Sequence, residues 1–141
     1  MSIKQLSIFL ENKSGRLTEV LETLGQEKIN IAAMSIADTS EYGILRLIVS
    51  NPEESLKLLK AKDFSVNLTD VIAIETPVEA GSFAQAVKYF SSENLSIEYM
   101  YAFAFHDKGT IVMRTDDRQK ALKIIESKKL QLVTIEDIFK K

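Results

Sequence analysis

The sequence predicts an α+β fold in which one strand–helix–strand–strand–helix–strand unit occurs twice. Three observations predict it. Strand-like and helix-like apolar periods succeed one another in that order, and a shift of 66 positions (Gly15 to Gly81) lays the second half on the first without a gap. Glycines and apolar faces then fall into one register. Ile8 falls on Ile74, Gly15 on Gly81, Leu17 on Phe83, Ile31 on Ile97, Met34 on Met100, Gly43 on Gly109 and Leu56 on Leu122. The helical faces match as well, with Val20, Leu21 and Leu24 falling on Ala86, Val87 and Phe90.

In the first unit, residues 3–10 alternate apolar and polar positions, the period of a half-buried strand. Residues 15–27 place Leu17, Val20, Leu21 and Leu24 at helical spacing. Asn30 to Ala37 is apolar and uncharged, a second strand, and Asp38 to Gly43 has the residues of a hairpin connection. Ile44 to Val49 is a third, β-branched strand. Asn51-Pro52-Glu53-Glu54 opens a helix, with proline in the first turn and acids beside its positive end. Leu56 and Leu59 give that helix an apolar face, and Phe64 to Leu68 reads as a short fourth strand.

This order is the ferredoxin-like plan, an antiparallel four-stranded sheet with two helices on one face. Right-handed crossovers put the strands in the order 4-1-3-2, with the second strand at an edge. Boundaries are expected at 1–70 for the first unit and 71–141 for the second. A unit of this size buries only about 60 % of its surface and is marginal alone. Both second strands, Ile31–Ala37 and Ile97–Phe105, have almost no charge, and such edges invite pairing. The expectation is one continuous eight-stranded antiparallel sheet joined where the two second strands meet.

Composition narrows the function. With 18 Lys and Arg against 20 Asp and Glu, the net charge is −2 and no basic stripe suits a nucleic acid or an anionic membrane. The chain has no cysteine and one histidine, which removes disulfides, thiol nucleophiles and multi-histidine metal sites. No cofactor is expected. Neither a signal-peptide core nor a membrane-length apolar run is present, so a cytoplasmic location is expected.

The strand-to-helix loop Glu11–Leu17 is the most informative stretch. Gly15 permits a tight turn, and the helix after it presents free N–H groups and a partial positive charge, to which a small carboxylate can dock. A plainer alternative is that Gly15 only makes the turn and Ser14 caps the helix. Joining the second strands brings each loop to the other unit's second strand. Two clefts are then expected, one from Asn12–Leu17 with Ser96 and Ile97, the other from Val78–Phe83 with Asn30 and Ile31.

These residues resemble the motif of a tandem ACT-domain protein, a family of regulatory modules that mostly sense amino acids. The pattern is an apolar strand, Asp/Asn-x-Pro-Gly-x-Leu, a helix, then Asn-Ile opening the second strand. Asn12, Gly15, Leu17, Asn30 and Ile31 match it, with Ser14 where proline is usual. Gly81, Phe83 and Ile97 hold it in the second unit, where Val78, Ala80 and Ser96 depart. The resemblance implies a non-catalytic, allosteric regulator that binds an amino acid between two units. The ligand-binding residues implied are Asn12, Lys13, Ser14, Gly15, Arg16, Leu17, Asn30 and Ile31 in the first unit. In the second they are Glu79, Ala80, Gly81, Ser82, Phe83, Ser96 and Ile97. The ligand carboxylate sits on helix-start N–H groups, its ammonium on Asn12, edge carbonyls or Glu79, and its side chain on Leu17 and Ile31 or on Phe83 and Ile97. The first cleft is favoured, because the second loop departs further from the motif.

Other residues have plainer readings. Tyr99, Tyr101, Phe103 and Phe105 alternate along one strand and share the helix-free face with Phe9, Ile44, Ile48 and Val112. An apolar patch there predicts homodimerisation through open sheet faces. Base stacking of the RNA-recognition kind is disfavoured by the acidic balance. His106 reads as a hairpin residue, and Lys13 and Arg16 as solvated helix-start charges. Glu11, Glu75 and Glu79 have no spacing that fixes an acid–base pair. A second class of function is an interaction subunit that holds an enzyme through the open face and binds no metabolite. A ferredoxin-like acyl phosphate hydrolase ranks last, for want of an arginine-containing phosphate loop.

Overall fold

A computed structural model describes residues 3–11, 14–38, 41–105 and 107–139. Asn12, Lys13 and His106 lie outside the described residues. The elements are β1 (Ile3–Glu11), α1 (Arg16–Gln26), β2 (Ile31–Asp38), β3 (Tyr42–Val49), α2 (Pro52–Ala61) and β4 (Ser65–Pro77). They continue with α3 (Ser82–Ser91), β5 (Ile97–Phe105), β6 (Lys108–Thr115), α4 (Arg118–Ser127), β7 (Gln131–Leu132) and α5 (Ile135–Phe139). Two compact units divide the chain, one holding Lys4–Thr69 and the other running from Asp70 onward together with Ile3.

Each unit has the ferredoxin-like strand order. In the first, β3 lies between β1 and β2, and the first half of β4 follows β1. In the second, β6 lies between β4 and β5, and β7 pairs the other side of β4 through Ile74↔Leu132. The second half of β4 is therefore the first strand of that unit and the short β7 its fourth. This corrects the expected eight strands to seven: β4 is the last strand of one unit and the first of the next. No glycine or proline interrupts residues 65–76, so nothing in that run breaks the strand where two were expected. The expected joint between the second strands is not seen either. Among the described residues β2 pairs with β3 and β5 with β6, each as an outer strand.

Each unit has its own apolar core under its helices. Leu6, Ile8 and Leu10 of β1 with Leu45, Leu47 and Val49 of β3 meet Val20 and Leu24 of α1 and Leu59 of α2. Ile72 and Ile74 of β4 with Ile111 and Met113 of β6 meet Ala86 and Phe90 of α3 and Ala121, Ile124 and Ile125 of α4. The four main helices end alike. The N–H of Ile29, Phe64, Leu95 and Leu130 donates to the carbonyl of Leu24, Leu59, Phe90 and Ile125, at 3.0, 3.1, 3.1 and 2.9 Å. The residue before each of these, Lys28, Asp63, Asn94 and Lys129, has a positive φ of 59°, 64°, 59° and 56°. This is the Schellman stop. Lys28 and Asn94 are 66 positions apart, as are Asp63 and Lys129, so the duplication extends to the backbone dihedrals.

On the face opposite the helices, the residues expected to share an apolar patch are unevenly exposed, from Phe9 at 52 % through the half-buried Ile44 to residues that are fully covered. Ile48 and Val112 are fully buried within the single chain, and Tyr99, Tyr101 and Phe103 are half-buried. Gln5, also on that face, is fully buried, and its Nε2 donates to Ser7 Oγ at 3.0 Å. Ser7 Oγ in turn lies 2.9 Å from Thr69 Oγ1. Alternation tells which face a side chain takes; it does not tell what covers that face.

Candidate functional site

The two strand-to-helix loops have the same local build. The N-cap of α1 is Gly15, at φ 90° and ψ −14°, and that of α3 is Gly81, at φ 87° and ψ −7°. Both are left-handed, a conformation that glycine adopts at little cost. The alternative in which Ser14 caps the helix is thereby corrected: Ser14 precedes the cap, and the cap residue has no side-chain acceptor. The first helical bonds run from Glu19 N–H to Gly15 C=O and from Gln85 N–H to Gly81 C=O, both at 2.9 Å. The N–H groups ahead of them have no acceptor within the helix. In the second loop, Ser82 N–H turns back to Glu79 C=O at 3.0 Å.

The other long helices are closed by side chains. Asn51 Oδ1 accepts from Glu54 N–H at 3.2 Å at the start of α2, and Asp117 Oδ1 accepts from Lys120 N–H at 3.1 Å at the start of α4. These caps are again 66 positions apart. In each unit, then, the helix after the first strand starts on a bare backbone and the helix after the third starts on a side-chain cap.

Arg16 does not reach outward as a free cation. Its Nη1 donates to Glu19 Oε1 at 2.8 Å and its guanidinium carbon stands 4.3 Å from the centre of the Phe64 ring. Leu17 is half-buried against the first core. Phe83, its counterpart, is 40 % exposed, and its ring occupies the side of Gly109 where a Cβ would stand 3.2 Å from Cε1. Ala80 and Glu79 are exposed, and so is Val78, at 47 %.

The strand-opening residues are tied into their own units. Asn30 N–H donates to Ser50 Oγ at 3.0 Å, while Ser50 N–H donates to Asn30 C=O at 2.9 Å. Ser96 N–H donates to Asp116 Oδ1 at 3.2 Å, with Asp116 N–H returning to Ser96 C=O at 3.1 Å. After each, a register irregularity, between Ile31 and Ala33 and between Ile97 and Tyr99, turns the isoleucine toward its own core. So Ile31 and Ile97 are half-buried packing residues.

Beside Phe9 and Glu75, which the sequence brought forward, the structure adds neighbours that it did not. Tyr42 lies in β3 opposite Glu11, and its ring meets that of Phe9 edge to face at 6.5 Å between centroids. Both are half exposed, at 50 % and 52 %. In the second unit a shallow recess is lined by Glu75, Thr76, Pro77, Asp107 and Lys108, with Lys108 Nζ 3.8 Å from Glu75 Oε1. Among the described residues no three acidic, histidine or cysteine side chains are grouped to hold a metal ion, and no helix is long and apolar enough to cross a membrane.

Comparison with known proteins agrees with this construction. A family model described as an ACT domain pair matches residues 1–141. The chain is similar to the crystal structure of protein BT0572 from Bacteroides thetaiotaomicron, at 45 % identity and a TM-score of 0.95, covering 100 % of this chain and 98 % of that one. At the level of fold it is similar to the ligand-free regulatory subunit of aspartate kinase from Thermus thermophilus, at 12 % identity and a TM-score of 0.66 over 88 % and 90 % of the chains. The corresponding subunit from Thermus flavus gives 13 % identity and a TM-score of 0.60 over 89 % and 92 %. No match is found among functionally curated proteins. With two ferredoxin-like units in one register, each opening its first helix on a left-handed glycine, the chain belongs to the family of ACT domain pairs.

Proposed function

We propose that this chain is a non-catalytic cytoplasmic regulator that binds a free amino acid at its strand-to-helix loops, at an interface between ACT units. The observation that supports this best is the contrast among helix starts. Gly15 and Gly81 leave first-turn N–H groups without a side-chain acceptor, while Asn51 and Asp117 close the other two. A ligand carboxylate supplies the missing acceptor and gains from the helix dipole. The residues proposed to contact the ligand are Asn12, Lys13, Ser14, Gly15, Arg16 and Leu17 in the first unit and Glu79, Ala80, Gly81, Ser82 and Phe83 in the second. Asn30, Ile31, Ser96 and Ile97 are the further residues of this proposed site, at strand starts that are fixed to Ser50 and Asp116. For regulation, the ligand must favour one arrangement of units over another, and a partner such as a regulated enzyme reads the difference.

The test is a thermal-shift screen of the whole chain against the twenty amino acids, followed by titration calorimetry. A ligand at about 100 times its Kd stabilises the native state by about 2.7 kcal/mol. Ser14→Asp and Ser82→Asp put a competing carboxylate at each helix start while favouring the helix itself. The expected result is a shift that these variants abolish without lowering the ligand-free Tm. A hit that neither variant alters overturns the loop site, and a flat screen at millimolar concentration favours the interaction-subunit reading.

A further inference from the structure

We propose that the helix layer of the second unit, α3 and α4, is a docking surface for an acidic patch on a different protein. Each helix residue of one unit has a mate 66 positions away in the other, so the two layers can be compared residue by residue. The acids of α1 and α2 are Glu19, Glu22, Glu53 and Glu54. Their mates in α3 and α4 are Gln85, Lys88, Gln119 and Lys120, so every acid has become an amide or a cation. Against those four acids the first layer sets Arg16, Lys57 and Lys60, whereas the second sets Lys88, Arg118, Lys120 and Lys123 against Glu126 alone. Lys128 and Lys129 add to the positive charge at the end of α4, where their mates Lys62 and Asp63 cancel. The excess is local, because the whole chain stands at −2.

These cations are uncommitted. Among the described residues none of the six makes an ion pair, whereas Arg16 of α1 is held by Glu19 at 2.8 Å. Lys88, Lys123, Lys128 and Lys129 are exposed, and Arg118 and Lys120 are half-buried. The Nε of Arg118 is buried and has no acceptor among the described residues. A guanidinium partly withdrawn from water and left unpaired gains most from an incoming carboxylate, which its fork of donors fits. Beside it, Lys128 Nζ stands 6.0 Å from the centre of the half-buried Tyr89 ring, and tyrosine and arginine are residues on which protein contacts often turn. The acids on α4 narrow the class of partner. Asp116 and Asp117 directly precede the helix and Glu126 lies within it, so the positive surface is small and broken. The continuous phosphate row of a duplex, or the plane of an anionic membrane, meets these carboxylates along with the cations, and the negative chain repels it at a distance. A compact group of carboxylates on a folded protein fits between the breaks. A second copy of this chain does not supply one, because Arg16, Lys57 and Lys60 offset the acids of its first helix layer.

The test is fluorescence anisotropy of a labelled oligoglutamate titrated with the full chain, beside a DNA duplex of matched charge and vesicles containing phosphatidylserine. Two charge reversals are compared, Lys120→Glu with Lys123→Glu on α4 and Lys57→Glu with Lys60→Glu on α2. Both change the net charge equally, none of the four side chains is buried, and glutamate is a good helix former, so each variant keeps a Tm close to that of the unsubstituted chain. The expected result is saturable, salt-sensitive binding of oligoglutamate that weakens about tenfold in the α4 pair and less than about twofold in the α2 pair, with amide shifts confined to α3 and α4. Absence of binding overturns the proposal. So does an equal loss in both pairs, which marks attraction by net charge, and so does tighter binding of the duplex or the vesicles, which assigns the surface to phosphate. No amino acid is present, so these outcomes are independent of the ligand screen.

Discussion

Replacing Thr115 by valine should stabilise the protein. Thr115 closes β6 opposite Ile97, is 9 % exposed, and its Oγ1 is buried with no hydrogen-bond partner among the described residues. Its repeat mate is Val49, which is fully buried in the first core. A buried hydroxyl left unsatisfied costs about 1–3 kcal/mol. Valine removes that cost and buries one more methyl group, worth about 0.8 kcal/mol before any strain. Strand propensity is unaffected, since both residues are β-branched. A net gain of about 1–2 kcal/mol follows, which is a rise in Tm of roughly 3–5 °C per kcal/mol for a chain of this length. Urea denaturation should show a higher midpoint at unchanged slope, the mark of a stability change and not of an altered denatured state. The mirror substitution, Val49→Thr, should lose about 1–3 kcal/mol by the same mechanism. If Thr115→Val leaves the midpoint unmoved or lowers it, the hydroxyl has a partner and the reasoning fails.

The remaining predictions concern backbone and caps. Gly15→Ala and Gly81→Ala should each cost about 1–2 kcal/mol in urea denaturation although a Cβ there meets nothing within 4 Å, because the left-handed backbone is strained for an L side chain. Asn51→Ala and Asp117→Ala should each cost about 1 kcal/mol by loss of the N-cap bond, measurable as paired shifts in Tm. Gly109→Ala should destabilise by about 1–3 kcal/mol by pressing on Phe83 and Thr76, and by less when Phe83 is already alanine; a double-mutant cycle without coupling would contradict the contact.

Much of the fold was legible because each half repeats the other. Gly15 and Gly81 marked the left-handed turns, Asn51 and Pro52 marked the start of α2, and apolar spacing located every main helix. The shared strand was missed because Phe64–Leu68 and the run ending near Thr76 satisfy a strand pattern separately, and periodicity has no term for one strand serving two sheets. At the site, Gly15 and Gly81 could be read from type and position. The roles of Arg16 and Ile31 could not. Arg16 is drawn back by Glu19 and Phe64, the latter 48 positions away, and Ile31 is turned inward by a bulge that has no sequence signature here. Tyr42 looked like a hairpin residue because its neighbours Glu41 and Gly43 are turn-forming, and pairing with Glu11 decides otherwise.

The common ending of the four helices bears on how this chain tolerates genetic drift. At each stop the left-handed position holds a polar residue of no fixed charge or size (Lys28, Asp63, Asn94, Lys129), whereas the next residue is always apolar: Ile29, Phe64, Leu95 and Leu130. The instruction to stop is thus written one residue beyond the turn, in the need to bury a side chain, and the turn itself is free to wander. Lineages of this chain should exchange charge and size at the first set without consequence, and lose helix boundaries when the second set turns polar.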